Sequence, residues 1–444
     1  MHIFTPVVII FQFMPCFNSI ICYFAFQTLL LPIVLPSDKI TVVYLEGVLM
    51  GRFKAASRQV LSITISSYVM MAMYAILLNM IGELLPSIID EYKLSLYQGG
   101  LLQTFFNIGG IAALFGMLYF SDRIRKSRLV YNSFLLTSLT LLLIGFFTKS
   151  YIFLSASFII LGGTTKVFDV SVNAFVNDIN TRGREFFLQF LHVTFGIGAV
   201  LGPIYASIMI SEYSWKAAFW ILGLAYAALL MVSIFTMLGN CSKAECEHGT
   251  RKPDSMHILH ILKNPQVWIM TFGAACFSGA YVGFVTWFPS YADTVSEDFG
   301  RLSGVLLSLF FMGYVLSRAI ASIILTMKNA RFLILLTSIL GGLAFLMAFV
   351  IEQPWAYYVF LISAGFFAGA TLPMIIFVAC SNFPNNTGGV TTILYLGISV
   401  SAMFIPVLMG LIGDKSGIAD AMPVPAILLF ASTAVSLLLK KPRA

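Results

Sequence analysis

The stretch 100-GLLQTFFNIG-109 returns without a gap as 304-GVLLSLFFMG-313, at an offset of 204. The two share Gly100/Gly304, Leu102/Leu306, Phe106/Phe310 and Gly109/Gly313. Prolines on either side repeat at nearly the same interval. Pro86 in 84-LLPSI-88 matches Pro289 in 287-WFPSY-291, and Pro203 in 198-GAVLGP-203 matches Pro406 in 401-SAMFIP-406, both at an offset of 203. Each match is weak alone. Three matches that agree within one residue point to duplication of a unit about half the chain long.

Composition says what the unit is. Of 444 residues, 59% are hydrophobic and 10% charged, and the mean hydropathy is +0.93. A soluble domain carries about 25% charged residues. The apolar runs are roughly 20 residues long, enough to cross a bilayer as helices. A β-barrel would show short alternating segments instead. From residue 58 onward twelve spanning segments are expected, near 60–89, 95–121, 128–148, 151–178, 185–211, 215–238, 265–291, 301–325, 331–350, 355–380, 388–412 and 420–439. The longest polar gap, 239–264, splits them six and six. The expectation is an all-α membrane protein of two pseudo-symmetric six-helix bundles, 58–238 and 265–444 with its basic tail, joined by a cytoplasmic linker at 239–264. That is the pattern of a secondary transporter with its site between the halves.

Loop charges orient the chain. One set of loops holds Arg123, Arg125, Lys126, Arg128, Arg182, Arg184, Lys243, Arg251, Lys252, Lys263, Lys328 and Arg331. Lys440, Lys441 and Arg443 at the C-terminus fall on the same side, as do Arg52, Lys54 and Arg58 before the first segment. The opposite loops hold only Lys93, Lys149, Lys216, Arg301 and Lys415. The positive-inside rule makes the first side, with the C-terminus, cytoplasmic. It also accounts for the net charge of +7. A nucleic-acid partner has no support, since no basic domain with interleaved aromatics is present.

Residues 1–57 stand outside this plan. An apolar run at 3–36 is broken by Pro15, Pro32 and Pro36. It reads as an over-extended start ahead of a true one at Met50, with an additional helix or signal anchor as the alternative. Cys241 and Cys246, with His257 and His260 following, fit no standard zinc spacing and read as reduced thiols in a cytosolic loop. No metal and no cofactor are expected.

The fourth segment carries the chemistry. It runs 151-YIFLSASFIILGG-163 and then 164-TTKVFDVSVNAFVNDINTRGRE-185, setting Lys166 and Asp169 at membrane depth. Charges there are costly and functional by default. Lys166, Asp169, Asn173, Asn177 and Asn180 are spaced 3, 4, 4 and 3, one stripe of a helix. It should face a cavity or a neighbour. The fifth segment offers Gln189 and His192, the first Asn79 and Glu83, and the second Gln103 and Asn107.

These residues carry a resemblance. The chain resembles the major facilitator superfamily over about 58–440. In 116-GMLYFSDRIRKSRL-129, Asp122, Arg123 and Lys126 match that superfamily's loop motif after the second helix, with Leu118 and Arg125 at the two glycine positions. The resemblance implies a conformational switch at that loop. Gly163, Asp169, Val170, Val172, Asn173 and Ala174, then Leu191, His192, Phe195, Gly196, Gly198, Gly202 and Pro203, resemble helices 4 and 5 of the fucose-permease-like group. That group includes proton symporters for fucose and glucose. It implies a proton-coupling role for Asp169, with Asn173 four residues on. Glu83 lies one position from the place of a helix-1 acid in the fucose permeases. Tyr281 takes the place of a helix-7 acid in the glucose carriers. Arg318, in 313-GYVLSR-318, resembles a helix-8 Gly-Arg pair with Ser317 replacing the glycine.

The residues also allow plainer readings. Lys166 and Asp169 either neutralise each other as a structural pair or trade a proton during the cycle. His192 is a relay or a packing histidine. Glu83, near 90-DE-91, is a coupling acid or wet surface. Trp287 and Tyr291 stack on a sugar ring or anchor an interface. Gly198, Gly202 and Pro203 allow close helix packing. The expectation is a monomeric, proton-coupled (or sodium-coupled) carrier of a small, sugar-like solute in a bacterial inner membrane. Efflux of a drug or metabolite by proton antiport is the second reading, and a non-transporting membrane sensor the third. No nucleophile–base pair or phosphate loop supports an enzyme.

Overall fold

Hydropathy dictates helices here, because a backbone in hydrocarbon must satisfy its own hydrogen bonds. The structure is a computed structural model that describes residues 58–120, 124–180, 184–237, 263–324, 330–351, 353–383 and 387–438. Asp122, Arg123, most of the 239–264 linker with Cys241 and Cys246, the basic tail and residues 1–57 lie outside the described residues. The first six spans are α1 (Arg58–Tyr92), α2 (Leu96–Phe120), α3 (Lys126–Phe147), α4 (Tyr151–Ile179), α5 (Arg184–Glu212) and α6 (Trp215–Met237). The second six are α7 (Pro265–Val295), α8 (Ser303–Ile324), α9 (Ala330–Val350), α10 (Pro354–Gly369, resuming as Thr371–Asn382), α11 (Thr387–Ser416) and α12 (Val424–Leu438). A one-turn helix, Glu297–Arg301, leads into α8. The break in α10 has a cause in Pro373. It has no N–H for the carbonyl of Gly369, and its ring crowds that carbonyl.

Each six-helix bundle buries large rings along with small residues and leaves other large apolar side chains on its outer face. Ile152, Phe115, Phe332 and Phe272 are mostly exposed, on faces that suit lipid. Aromatic stacking holds the first bundle together: Phe134 stacks on Tyr226 with ring centroids 4.1 Å apart. In the second, Met270, Ile334, Met374 and Leu394 belong to one buried cluster.

The duplication read from the sequence returns as repeated contacts. A Cβ on Gly109 would fall 1.8 Å from the Ile159 carbonyl oxygen, and one on Gly313 would fall 2.2 Å from that of Ile362. The next approach repeats too, with Gly162 at 1.8 Å from the Phe106 oxygen and Gly365 at 2.0 Å from that of Phe310. These four glycines bring α2 against α4 and α8 against α10 at backbone distance, as small residues do between membrane helices.

The same symmetry governs how the bundles meet. Gly100 on α2 faces the Pro406 carbonyl oxygen of α11, and Gly304 on α8 faces that of Pro203 on α5, each 2.8 Å from a Cβ placed there. Thr104 donates to the Met403 carbonyl at 2.7 Å, and Ser308 to the Val200 carbonyl at 2.7 Å. A third contact joins α1 to α7, where Gly82 meets the Val285 carbonyl. All three lie in the half of the molecule away from the Lys126 end of α3, and so away from the basic loops.

Candidate functional site

Below these contacts, a cavity of about 240 Å³ opens between the bundles. Its two walls differ. The first bundle contributes Asn79, Gln103, Asn107, Thr165 and Lys166, with Tyr74 and Phe106. The second contributes the rings of Phe277, Tyr281 and Tyr314, the hydroxyls of Ser278, Thr286 and Ser399, and aliphatic residues between them. At the α1–α7 seam the Tyr281 hydroxyl donates to Asn79 Oδ1 at 2.9 Å, while Asn79 Nδ2 donates to the Ala75 carbonyl at 2.8 Å. Asn107 Nδ2 donates to the Gln103 carbonyl at 2.8 Å and makes a long 3.5 Å approach to the Ala402 carbonyl across the seam. Ala402 lies four residues before Pro406, which has no N–H to give it.

On α4, Lys166 Nζ stands 3.8 Å from Asp169 Oδ2, both side chains about 30% exposed (30% and 29%). Asn173 Nδ2 donates to Asp169 Oδ1 at 3.2 Å and to the Asp169 carbonyl at 2.8 Å. The carboxylate is therefore held by its own helix. Its field reaches Tyr74 on α1, His192 on α5 and Tyr395 on α11. His192 is exposed and lies within the electrostatic reach of both Asp169 and Arg318. The stripe ends sooner than its spacing implies. Asn177 donates to neighbouring Asp178 at 3.4 Å, and buried Asn180 donates to Thr64 of α1 at 3.1 Å and caps its own helix at Val176.

Arg318 is tied from three directions. Its guanidinium lies 4.3 Å from the Tyr314 ring centroid. It donates to the Tyr314 hydroxyl at 2.5 Å and, through Nε, to the Gly369 carbonyl at 3.3 Å. That carbonyl is the one Pro373 leaves without a helical partner, so the break in α10 supplies the acceptor. Lys126, expected at a conformational switch, pairs with Asp178 of α4 at 2.5 Å within the first bundle. The Gln189 side chain lies outside the described residues.

Two aromatic candidates sit away from the cavity. Trp287 is wholly buried and donates to the Pro406 carbonyl at 2.8 Å, filling the space that Gly99 and Gly410 leave. Tyr291 shares a 2.8 Å hydroxyl contact with Tyr357 inside the second bundle. Gly198 and Gly202 press α5 onto α1, against the Ala72 and Ile76 carbonyls. Glu83 is not wet surface. It is 5% exposed, and its Oε1 accepts from Ser207 at 2.8 Å and Ser303 at 2.5 Å. The sequence reading passed over Tyr74, Tyr314 and Phe277. Their signal was available only for Tyr314, one helical turn before Arg318.

Comparison with known proteins decides the family. The profile described as Major Facilitator Superfamily matches residues 60–362 and 292–444. The chain belongs to the Major Facilitator Superfamily. It is a multi-pass secondary transporter of that superfamily. Among curated relatives, Protein TsgA homolog of Buchnera aphidicola subsp. Baizongia pistaciae is 24% identical over 374 residues, covering 83% of this chain and 92% of that one. Protein TsgA homolog of Yersinia enterocolitica is 21% identical over 371 residues, covering 82% and 91%. Among solved structures, a bacterial homologue of the human lysosomal transporter Spinster, inward-facing and unoccupied, superposes with a TM-score of 0.69 at 13% identity, covering 86% of this chain and 97% of that one. The nucleoside transporter NupG gives 0.68 at 14%, covering 86% and 99%. These Major Facilitator structures share the fold.

Proposed function

We propose that this Major Facilitator protein is a proton-coupled carrier of a small, sugar-like solute, working by alternating access in the inner membrane. The observation that carries the reading is the partly exposed Lys166–Asp169 pair, 3.8 Å apart, whose lysine lines the inter-bundle cavity. Amides at Asn79, Gln103 and Asn107 suit hydroxyl groups, and the ring faces of Phe277, Tyr281 and Tyr314 suit the apolar face of a sugar ring. Asp169 is the coupling acid. Solute entry or helix movement separates it from Lys166, and the carboxyl then takes up a proton. Glu83 and His192 are further candidates for the proton's path. With the basic loops cytoplasmic, the bundle contacts lie on the outer side, and the state described faces inward.

In proteoliposomes, Asp169→Asn abolishes uphill, proton-driven uptake while counterflow exchange stays measurable, because a loaded carrier reorients without loading a proton. Retained uphill uptake in that variant overturns the reading. So does its recovery in a variant with both Lys166 and Asp169 neutral, which would make the pair structural.

The aromatic second wall favours one other reading, proton antiport of an amphipathic compound. The two differ in direction. Acidifying the outside of right-side-out vesicles drives uptake in a symporter and expulsion in an antiporter.

A further inference from the structure

The outer ends of α2 and α8 raise an accounting problem that their own sequence does not solve. The first amides of a helix lack intrahelical acceptors. At α2 a capping box handles part of this: Gln98 N donates to Ser95 Oγ at 3.2 Å, and Ser95 N to Gln98 Oε1 at 3.0 Å. The amides of Leu96 and Tyr97 remain. Both are taken by one carboxylate of the other bundle, Asp414 on α11, with Leu96 N donating to Oδ1 at 2.7 Å and Tyr97 N to Oδ2 at 2.9 Å.

The repeat mate of α2 is α8, and a carboxylate crosses to its first turn from the opposite direction, to a side-chain hydroxyl where Asp414 takes amides. Glu83 of α1 accepts at 2.5 Å from the Oγ of Ser303, the first residue of α8. Its second oxygen, Oε2, is buried without a hydrogen-bond partner. The two acids are not repeat mates. At an offset of 203, Asp414 corresponds to Ser211 and Glu83 to Thr286. Duplication alone therefore did not place a carboxylate at both seams.

We infer that Asp414 and Glu83 form a reciprocal latch: each bundle caps the positive N-terminal end of the other bundle's gate helix, and the two caps together set the balance between the closed and open outer gate. A carboxylate at a helix N-terminus gains both the orphan N–H groups and the helix dipole. Parting the bundles on the outer side takes Asp414 from the Leu96 and Tyr97 amides and Glu83 from the Ser303 hydroxyl at once. Closing restores both, so the latch acts on the conformational equilibrium and leaves solute chemistry to the cavity. The inference rests on alternating access as proposed above.

The test reads conformation directly. Spin labels replace Lys149, in the loop between α3 and α4, and Trp355, at the start of α10; both sites are exposed, at the same end of the two bundles. The protein is in proteoliposomes, with its native cysteines replaced. Asp414→Ala and Glu83→Ala each raise the ratio of long to short inter-bundle distances about fivefold, the effect of losing one cap, and the double variant multiplies the two. Ser303→Ala, which removes the hydroxyl from across the seam, shifts the ratio in the same direction and stands in for Glu83→Ala if that variant does not fold. Ser207→Ala shifts it less, because Ser207 belongs to the same bundle as Glu83. Unchanged distances in the folded Asp414 and Ser303 variants overturn the latch, as does a Ser207→Ala effect equal to that of Ser303→Ala. Absence of counterflow in the wild type would count against the transport reading alone, leaving the distances to judge the latch.

Discussion

Tyr281 gives its hydroxyl hydrogen to Asn79 across the line where the two bundles meet, 2.9 Å away. The bond lies at the cavity and joins α1 to α7, beside the close approach of Gly82 to Val285. One hydrogen bond therefore belongs both to the solute chamber and to the joint that must open.

Tyr281→Phe keeps the ring and removes the donor. It lowers the unfolding free energy by about 1 kcal/mol, the usual net value of one hydrogen bond, read as a lower thermal midpoint in detergent. Asn79→Ala costs a similar amount. The double variant costs little more than either single one, since both break the same bond. Full additivity in the cycle would show that the bond carries no stability.

The glycine contacts should behave as repeat mates. Gly109→Ala and Gly313→Ala both drive a methyl into a backbone carbonyl on the next helix, at 1.8 and 2.2 Å. Each destabilises by about 1–3 kcal/mol through overpacking, and the two losses are alike. Gly116, on the same α2, has nothing within 4 Å of a Cβ. Gly116→Ala is neutral or mildly stabilising by helix propensity. Thermal melts of the three variants side by side check this. Equal losses at Gly109 and Gly116 would contradict it.

Arg318→Lys is not a conservative change. A lysine keeps the charge but loses the planar fork that reaches the Tyr314 ring and hydroxyl and the Gly369 carbonyl. Stability falls by about 1–2 kcal/mol. Tyr314→Phe retains the ring face and costs less. A lysine variant that melts with the wild type would show the fork to be unnecessary.

Sequence alone determined the membrane class, the number of spans and the doubling. Those follow from local quantities, the length and polarity of each run and the spacing of glycines and prolines, which survive reading along one chain. It also picked out Lys166, Asp169 and Asn173, since i, i+3 and i+4 neighbours on one helix are fixed by helical geometry. It did not determine what each polar group faces. Glu83 stood near acidic surface residues, yet Ser207 and Ser303, 124 and 220 positions away, bury it. Trp287 read as a stacking or anchoring ring until Pro406 took its N–H. Asp414 carried no signal at all, because its acceptors serve amides 317 and 318 residues distant. Burial and hydrogen-bond partnership are properties of helix pairs. Only the packing of one bundle on the other decided which acids are latches, which rings line the chamber and where the cavity lies.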